Sequence, residues 1–493
     1  MTSAGRKPGD GHAAPHAVAE AWGNERESVP GSGRPVRIFA LALIMLVAGC
    51  AAKVGPAPQA SLTMPAEWRA AIGPGDAARP MERLWWRAFG DPALTALVES
   101  ALERNGDLLV ARARVADYRA RTDLARAGQQ PAVNVDAAPV RTRALAYNGA
   151  PHVTNLFQAE FQASYEIDVW GRLASLTGAA RAAYAAEQAS ADAAALSVAA
   201  SVASGYLNLR GLDAQLELTQ ATLKLRGQSR ELARRQFEVG YSSRLEWLQA
   251  QAEYEAAAEQ VPQLQRQIFE QENALSILCG GNPGAIARGR ALSELSPPPV
   301  PAGLPSDLLL RRPDIARAGR ALAAAGATLA ATHDQLLPSF RLTAQGGVQS
   351  TVFHELLSDP ARLWRLAGVV AAPLFDGGRT QAQTDSAAAL RDQAFHAYEN
   401  SVRAALAETD NGLGAILRLR EQAERNDARR ETAAETLRIA RNRYRNGYAS
   451  YLEELDAQRT LYNADVQRLQ LKTRVLVASV DLYRALGGGW GGQ

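Results

Sequence analysis

The feature that most constrains this chain is that it is written twice. Residues 107–131 (DLLVARARVADYRARTDLARAGQQP) have a counterpart 207 positions later, at 314–338 (DIARAGRALAAAGATLAATHDQLLP). The same offset relates Gly171-Arg172 to Gly378-Arg379, Gly205 to Gly412, 236–241 to 443–448, Gln251 to Gln458, and Gly280-Gly281 to Gly487-Gly488. A single offset that holds from 107 to 281 makes the chain a tandem duplication, so its fold must be assembled from two similar halves.

Each half reads in the same order. A helical stretch (about 93–129 and 308–336) is closed by Pro131 or Pro338. Two alternating segments follow around a polar tip, at about 132–144 and 155–169, then 339–350 and 362–375. The alternation is clearest in 157–169, FQAEFQASYEIDV. Phe157, Ala159, Phe161, Ala163, Tyr165, Ile167 and Val169 are apolar, and Gln158, Glu160, Gln162, Ser164, Glu166 and Asp168 between them are polar. Period two means a strand with one apolar and one wet face. Phe340, Leu342, Ala344, Gly346 and Val348 repeat the pattern, whereas 362–375 alternates less cleanly.

The rest of each half is helix. No proline occurs in 172–239 or after Pro373, and a helix of about 65 residues runs about 100 Å. Tyr462, Val466, Leu469, Thr473, Leu476, Val480 and Tyr483 are spaced 4-3-4-3-4-3, and Leu471, Val475, Ala478, Leu482 and Ala485 form a second stripe on the same helix. Leu264, Ile268, Leu275 and Leu278 form the corresponding stripe one repeat earlier. Two seams on one helix imply a neighbour on each side, as in a closed ring of helices. Pro262 is expected to interrupt and kink the first-half return helix. Residues 280–304, with Pro297, Pro298, Pro299 and Pro301, read as an extended linker outside the core.

Composition excludes several function classes. Lys+Arg 54 against Asp+Glu 51 leaves no basic face for nucleic acid. Two cysteines, Cys50 and Cys279, are too few for a disulfide framework or a four-cysteine zinc site. No run of 18 apolar residues offers a transmembrane helix. The six histidines (His12, His16, His152, His333, His354, His396) belong to no metalloprotease motif, and neither a phosphate-binding loop lysine nor a nucleophile elbow is present. No cofactor and no enzymatic activity are expected. Cys279, at a helix end in an apolar stripe, reads as an inert thiol.

The front end carries a small basic region, 34–37, and an apolar core, 38–48 (IFALALIMLVA), of signal-peptide length. It ends at Val47-Ala48-Gly49-Cys50, which resembles the lipobox of bacterial lipoproteins. That resemblance implies cleavage before Cys50 and a covalent lipid on it, and Ala51 favours the outer membrane. An ordinary secretory signal with a chance cysteine is the alternative. The polar preface 1–33 is unusual for a signal peptide and implies either a later translation start or removal together with the signal.

Together with these features, four stretches resemble the outer-membrane factor family, the TolC-like exit ducts of tripartite efflux pumps, in its NodT- and OprM-like lipoprotein branch. They are 85–94 (WWRAFGDPAL), 300–315 (VPAGLPSDLLLRRPDI), 375–379 (FDGGR), and Arg443-Tyr444 with Gly447. The resemblance covers essentially all of 50–493. It implies a membrane α+β protein in which a homotrimer shares one antiparallel transmembrane β-barrel, four strands per protomer, continued by a long periplasmic coiled-coil α-barrel. Closure suits the physics, because an open sheet edge leaves unpaired backbone groups in lipid. Phe157, Phe161, Tyr165 and Ile167 then face lipid, while Glu160, Gln162, Glu166 and Asp168 face a wet lumen. Tyr147, Phe157, Tyr165, Trp170 and Trp364 are candidates for aromatic girdles.

The implied organisation is a removed signal and preface (1–49), a lipidated segment (50–84), a first repeat (85–281, strands about 132–169), a Pro-rich linker (282–306), a second repeat (307–488, strands about 339–375) and a short tail (489–493). The resemblance places the turns Val239-Gly240-Tyr241-Ser242 and Asn446-Gly447-Tyr448-Ala449 at the periplasmic end, where a periplasmic adaptor protein docks. Positions equivalent to Glu453 and Asp456 ring the closed pore mouth; they are i and i+3 and share a helix face. Three copies would set about six carboxylates there, attracting cations. Solvated outer-face carboxylates are the alternative. Tyr444 matches a tyrosine that holds the inner hairpin closed, with Glu246 as its partner position.

The implied function is the outer-membrane channel of a tripartite efflux system, passing small molecules from adaptor and inner-membrane pump to the exterior. A duct for metal or protein export, or a non-conducting coiled-coil lipoprotein, are the competing readings. The lipoprotein expectation has a direct test. Mass spectrometry of the mature chain should show a diacylglyceryl- and acyl-modified Cys50 at the N-terminus, and a mature chain that retains Met1 would overturn it.

Overall fold

The computed structural model of this chain describes residues 63–70, 84–299 and 305–489. Cys50 and the signal segment lie outside the described residues, as do 300–304 of the linker and 490–493 of the tail. In chain order the first half holds α1 (Pro92–Arg104), α2 (Gly106–Ala127), β1 (Ala132–Leu145), β2 (Pro151–Ile167), α3 (Arg172–Glu238) and α4 (Arg244–Leu278). The second half holds α5 (Leu308–Arg311), α6 (Pro313–His333), β3 (Ser339–Ser350), β4 (Arg362–Ala371), α7 (Arg379–Arg445) and α8 (Tyr451–Ala485). The duplication is physical: α3 and α7 each have 67 residues, and α4 and α8 each have 35.

The first expected helix is broken at Asn105, whose ψ of 130° leaves the helical region. The break has a purpose. The Asn105 carboxamide oxygen caps α2 by accepting from Leu108 N, and its NH2 donates to the Leu278 carbonyl at the end of α4 (2.9 Å). One repeat later the buried Arg312 donates to the Ala485 carbonyl at the end of α8 (2.8 Å) while pairing with Asp314 and Glu408. Different side chains thus make the same tie between the start of one helix and the end of another.

The main core gathers around the turn at Trp85–Phe89. Trp85, Trp86 and Phe89, on a short 3-10 turn, pack with Leu94, Val98, Tyr206 and Leu207. Trp85 stacks on Tyr483 at 5.3 Å. Asp91 caps α1 and accepts from the Tyr206 hydroxyl (2.9 Å) and from Arg290 N (3.0 Å). Burial pushes the Tyr206 phenol up to about 12. Both stripes read on α8 are buried from Leu471 onward except at half-buried Ala478, with Thr473 against Gly211 of α3 and Leu482 against Gly412 of α7, while Tyr462, Val466 and Leu469 are half-buried.

Three expectations are corrected. The helix α4 runs through Pro262 without interruption. The linker contributes to the core: Leu292 and Leu295 are buried, anchored by Arg288 on Asp213 (3.1 Å) and Glu272. Strand β4 ends at Ala371, so Leu374 and Phe375 are exposed loop residues.

The four strands form one antiparallel sheet in the order β1-β2-β3-β4. The register is regular: Phe161 faces Val135 and Gly346, and Gly346 faces Trp364. It assigns β4 the faces its sequence left unclear, with Trp364, Leu366 and Val370 on the same face as Phe161.

Helix α3 approaches α8 closely at Gly211, where a Cβ would lie 2.5 Å from Thr473 Oγ1 and 3.0 Å from its Cγ2. Gly211→Ala should therefore destabilise the fold by about 1–3 kcal/mol. Adding Thr473→Ala should recover most of that loss, and a thermal-unfolding double-mutant cycle measures the coupling.

Candidate functional site

At one end of the molecule both helical hairpins turn identically. Gly240 and Gly447 each have φ of +76°, a left-handed conformation that a side chain would strain. Tyr241 N donates to the Gln236 carbonyl and Tyr448 N to the Arg443 carbonyl, closing each helix end. Val239, Tyr241, Asn446 and Tyr448 are exposed at the tips, and Ser242 and Ala449 are half-buried. Asn446 folds its carboxamide back onto the Asn442 carbonyl (2.7 Å).

Behind the tips the hairpins are tied to each other. The Tyr444 hydroxyl lies 3.2 Å from Gln236 Oε1 and 3.4 Å from Glu246 Oε2. The structure therefore brings Tyr444 and Glu246 together, with Gln236 as the closer acceptor. Burial first, and then the Glu246 charge, raise the Tyr444 phenol well above its ordinary value. Burial likewise pushes Tyr451 up to about 12; its ring lies 5.5 Å from that of Tyr444. Both phenols remain uncharged donors at neutral pH. Ala233, Ala250 and Leu455 fill the space around them.

A second tie lies further along the bundle. Glu253, buried on α4, receives Arg459 of α8 (Nε, 2.8 Å) and Arg226 of α3 (3.1 Å). Arg226 also donates to the Glu253 carbonyl and sits over the Tyr462 ring. Tyr462 donates to Gln260 (2.6 Å). Two guanidinium groups on one buried carboxylate neutralise a charge that would otherwise be costly there. Sequence reading missed Gln236, Glu253, Arg226 and Arg459. One signal was present: Glu253 falls on the stripe Ala250, Ala257, Leu264, where a charge marks a buried pair.

The segment 452–456 divides by face. Glu454 and Leu455 are buried, with Glu454 held by Arg441 (3.1 Å) and Gln458 (2.9 Å). Glu453 and Asp456 are exposed on one face of α8, beside Arg429 and Thr432 of α7. Glu453 lies 3.4 Å from the Arg443 guanidinium.

The sheet has two chemically different faces. Val133, Val135, Phe157, Phe161, Tyr165, Ile167, Leu342, Trp364 and Leu366 share one face. Asp136, Glu160, Gln162, Glu166, Arg341 and Gln345 share the other. Asp168 is on neither: past the end of β2, it caps α3 by accepting from Leu173 N and Ala174 N. Asp376 does the same for α7 through Gly378 N and Thr380 N. Two girdle candidates also lie off the strands. Tyr147 sits in the exposed β1–β2 turn, and Trp170 donates its indole N–H to the Pro338 carbonyl (2.7 Å). Cys279 is half-buried, and burial raises its thiol, away from the reactive thiolate.

Comparison with known proteins agrees with this geometry. The family model described as outer membrane efflux protein matches residues 97–281 and again 304–488. The toluene efflux pump outer membrane protein TtgC of Pseudomonas putida is 34% identical over 414 residues, 83% of this chain and 86% of that protein. The pyoverdine export outer membrane protein OpmQ of Pseudomonas putida is 33% identical over 442 residues, 88% and 93%. Among solved structures, the outer-membrane channel OprN aligns with a TM-score of 0.82 at 29% identity, covering 89% of this chain and 99% of that one. The open state of the MtrE outer membrane channel of Neisseria gonorrhoeae aligns with a TM-score of 0.78 at 29% identity, covering 88% and 98%. With the family model matched once in each half, over the same duplicated hairpins and sheet, this chain belongs to the outer membrane efflux protein family, the TolC-like channels that cross the outer membrane and extend into the periplasm.

Proposed function

We propose that three copies of this chain close into one passive duct, anchored by a lipid on Cys50, that receives small organic molecules from an inner-membrane pump through a periplasmic adaptor. The observation that carries this reading is the pair of open sheet edges. Among the described residues β1 pairs only with β2 and β4 only with β3. One face of that sheet is apolar and belongs in lipid, where unpaired backbone groups are not tolerated. Three sheets joined edge to edge satisfy every strand. The helices give a second reason: α4 leaves Leu245, Leu248, Phe269 and Ile277 exposed, an apolar surface that a neighbouring copy would cover.

In this reading the exposed tips around Gly240 and Gly447 meet the adaptor. Tyr444, held by Gln236 and Glu246, keeps the second hairpin drawn in, and Glu453 and Asp456 line the mouth. The polar sheet face mixes amides with charges of both signs, a lining suited to no single cargo, so selection belongs to the pump. The relatives' names, covering toluene and pyoverdine, suit a duct of that kind.

The purified protein should insert into planar bilayers as a conducting trimer; a monomer without conductance would overturn the reading. Asp456→Ala should weaken block of that current by multivalent cations more than Glu453→Ala does, because Arg443 already compensates Glu453 in the protomer. Equal block in both variants and the parent would remove these carboxylates from the mouth. Tyr444→Phe removes only a hydroxyl, so closed-state conductance should rise several-fold while thermal stability shifts by about 1 kcal/mol or less. Unchanged conductance would leave Tyr444 a packing residue.

A further inference from the structure

The apolar face of the sheet carries a charge pattern that the duct does not use. Following the register, the strand residues on this face include no Asp or Glu and three arginines: Arg141 and Arg143 on β1, and Arg362 on β4. All three lie toward the hairpin end of their own strands, and across the register Arg362 is level with Ala137, four residues short of Arg141. Arg362 is the first residue of β4, and Arg143 is two residues from the end of β1 at Leu145. That end is the one closed by the two strand hairpins, away from the helices, and so faces the cell exterior in the reading proposed above. The opposite end of the same face holds Val133, Ile167, Phe340 and Val370. An aromatic ring precedes each arginine along its own strand pair: Trp364 lies two residues before Arg362 in the outward direction, and Phe157 two residues before Asn155, the partner of Arg141.

Arginines on a lipid-facing surface cost least near the interface, where their donor fork matches carboxylate or phosphate oxygens. Inside the protomer the supply is small. Arg362 pairs with Asp359 at 2.9 Å, with both side chains largely exposed, a contact that contributes little. Arg141 and Arg143 are exposed, with Asn155 and Val153 as their cross-strand neighbours.

Their placement within the sheet adds a second point. β1 and β4 are the two edges. When copies close edge to edge, β4 of one copy lies beside β1 of the next. The outer ends of these strands, and with them Arg362 and the Arg141-Arg143 pair, then border each seam. The geometry points to a guanidinium cluster at each of the protomer seams, on the outer rim of the lipid-facing surface, that binds the phosphate groups of anionic outer-leaflet lipid. Fork-shaped donors suit phosphate oxygens, and a phosphorylated headgroup lies at the depth where the aromatic rings end. Such a lipid would bridge two copies and stabilise the closed ring from outside. The inference rests on the trimeric reading given above.

The test uses the full-length protein and a triple variant, Arg141→Gln with Arg143→Gln and Arg362→Gln. Each is delipidated in neutral detergent and titrated with lipid A, a bisphosphorylated glycolipid, with its dephosphorylated form, or with inorganic phosphate. Native mass spectrometry counts bound lipid, and thermal dissociation reports the trimer. The parent should retain lipid A and gain dissociation temperature from it, but not from the dephosphorylated lipid or from inorganic phosphate. The triple variant should bind lipid A on the order of tenfold more weakly or worse. Arg365→Gln, on the opposite sheet face, should bind as the parent does. A trimer that conducts in planar bilayers yet retains lipid A equally in the triple variant would overturn the seam site alone. Equal stabilisation by inorganic phosphate would overturn a lipid as the occupant. A protein that stays monomeric and does not conduct would overturn both this site and the channel reading.

Discussion

Backbone hydrogen bonding at the two edge strands governs the rest of this structure. The apolar face of this four-stranded sheet is exposed at Val133, Val135, Phe161, Leu342, Trp364 and Leu366, as a face that meets lipid must be, and lipid forbids open edges. Edge closure therefore requires more than one copy, and the copy number must set the geometry of everything attached to the strands. The helices follow directly: Gly171 and Gly378 reverse the chain below each hairpin, and Asp168 and Asp376 cap the 67-residue helices that begin there. A fixed ring of strands thus becomes a fixed ring of helices.

Much of this was legible in the sequence, for identifiable reasons. The duplication, the 3.5-residue spacing on α8 and the period-two pattern of β2 each repeat often enough to dominate local noise. What escaped was set by single contacts between distant segments. The break at Asn105 follows from its bond to Leu278, 173 residues away. The pairing of β4 follows from its neighbour β3, since its own alternation is weak. Asp168 looked like a strand residue because it continues the alternation, but capping α3 outweighed it. Pro262 looked like a breaker, yet tertiary packing carries the helix through it.

At the hairpin ends the site residues were only half legible. Tyr444 and Glu246 came from the resemblance, and the structure sets them 3.4 Å apart. The Glu253 pairing with Arg226 and Arg459 joins three helices from both halves, and no motif in one segment announces it. Its position on an apolar stripe was the available clue. Removing either arginine alone would leave the buried Glu253 charge undercompensated, which is why the three side chains must be read as one unit.

The two hairpins also show how a duplicated unit becomes asymmetric. Gln236 and Glu246 of the first hairpin correspond, one offset later, to Arg443 and Glu453 of the second. In the second hairpin Arg443 pairs with Glu453, and the carboxylate is satisfied within its own hairpin. In the first, neutral Gln236 stands in the arginine's place, so Glu246 remains an acceptor for a donor from outside. That donor is Tyr444, whose own counterpart, Phe237, has no hydroxyl and instead stacks on Trp247 at 5.6 Å. Two changes, arginine against glutamine and tyrosine against phenylalanine, convert identical hairpins into a donor and an acceptor. The tie between them therefore runs in one direction only, from the phenol of the second hairpin to the carboxylate of the first.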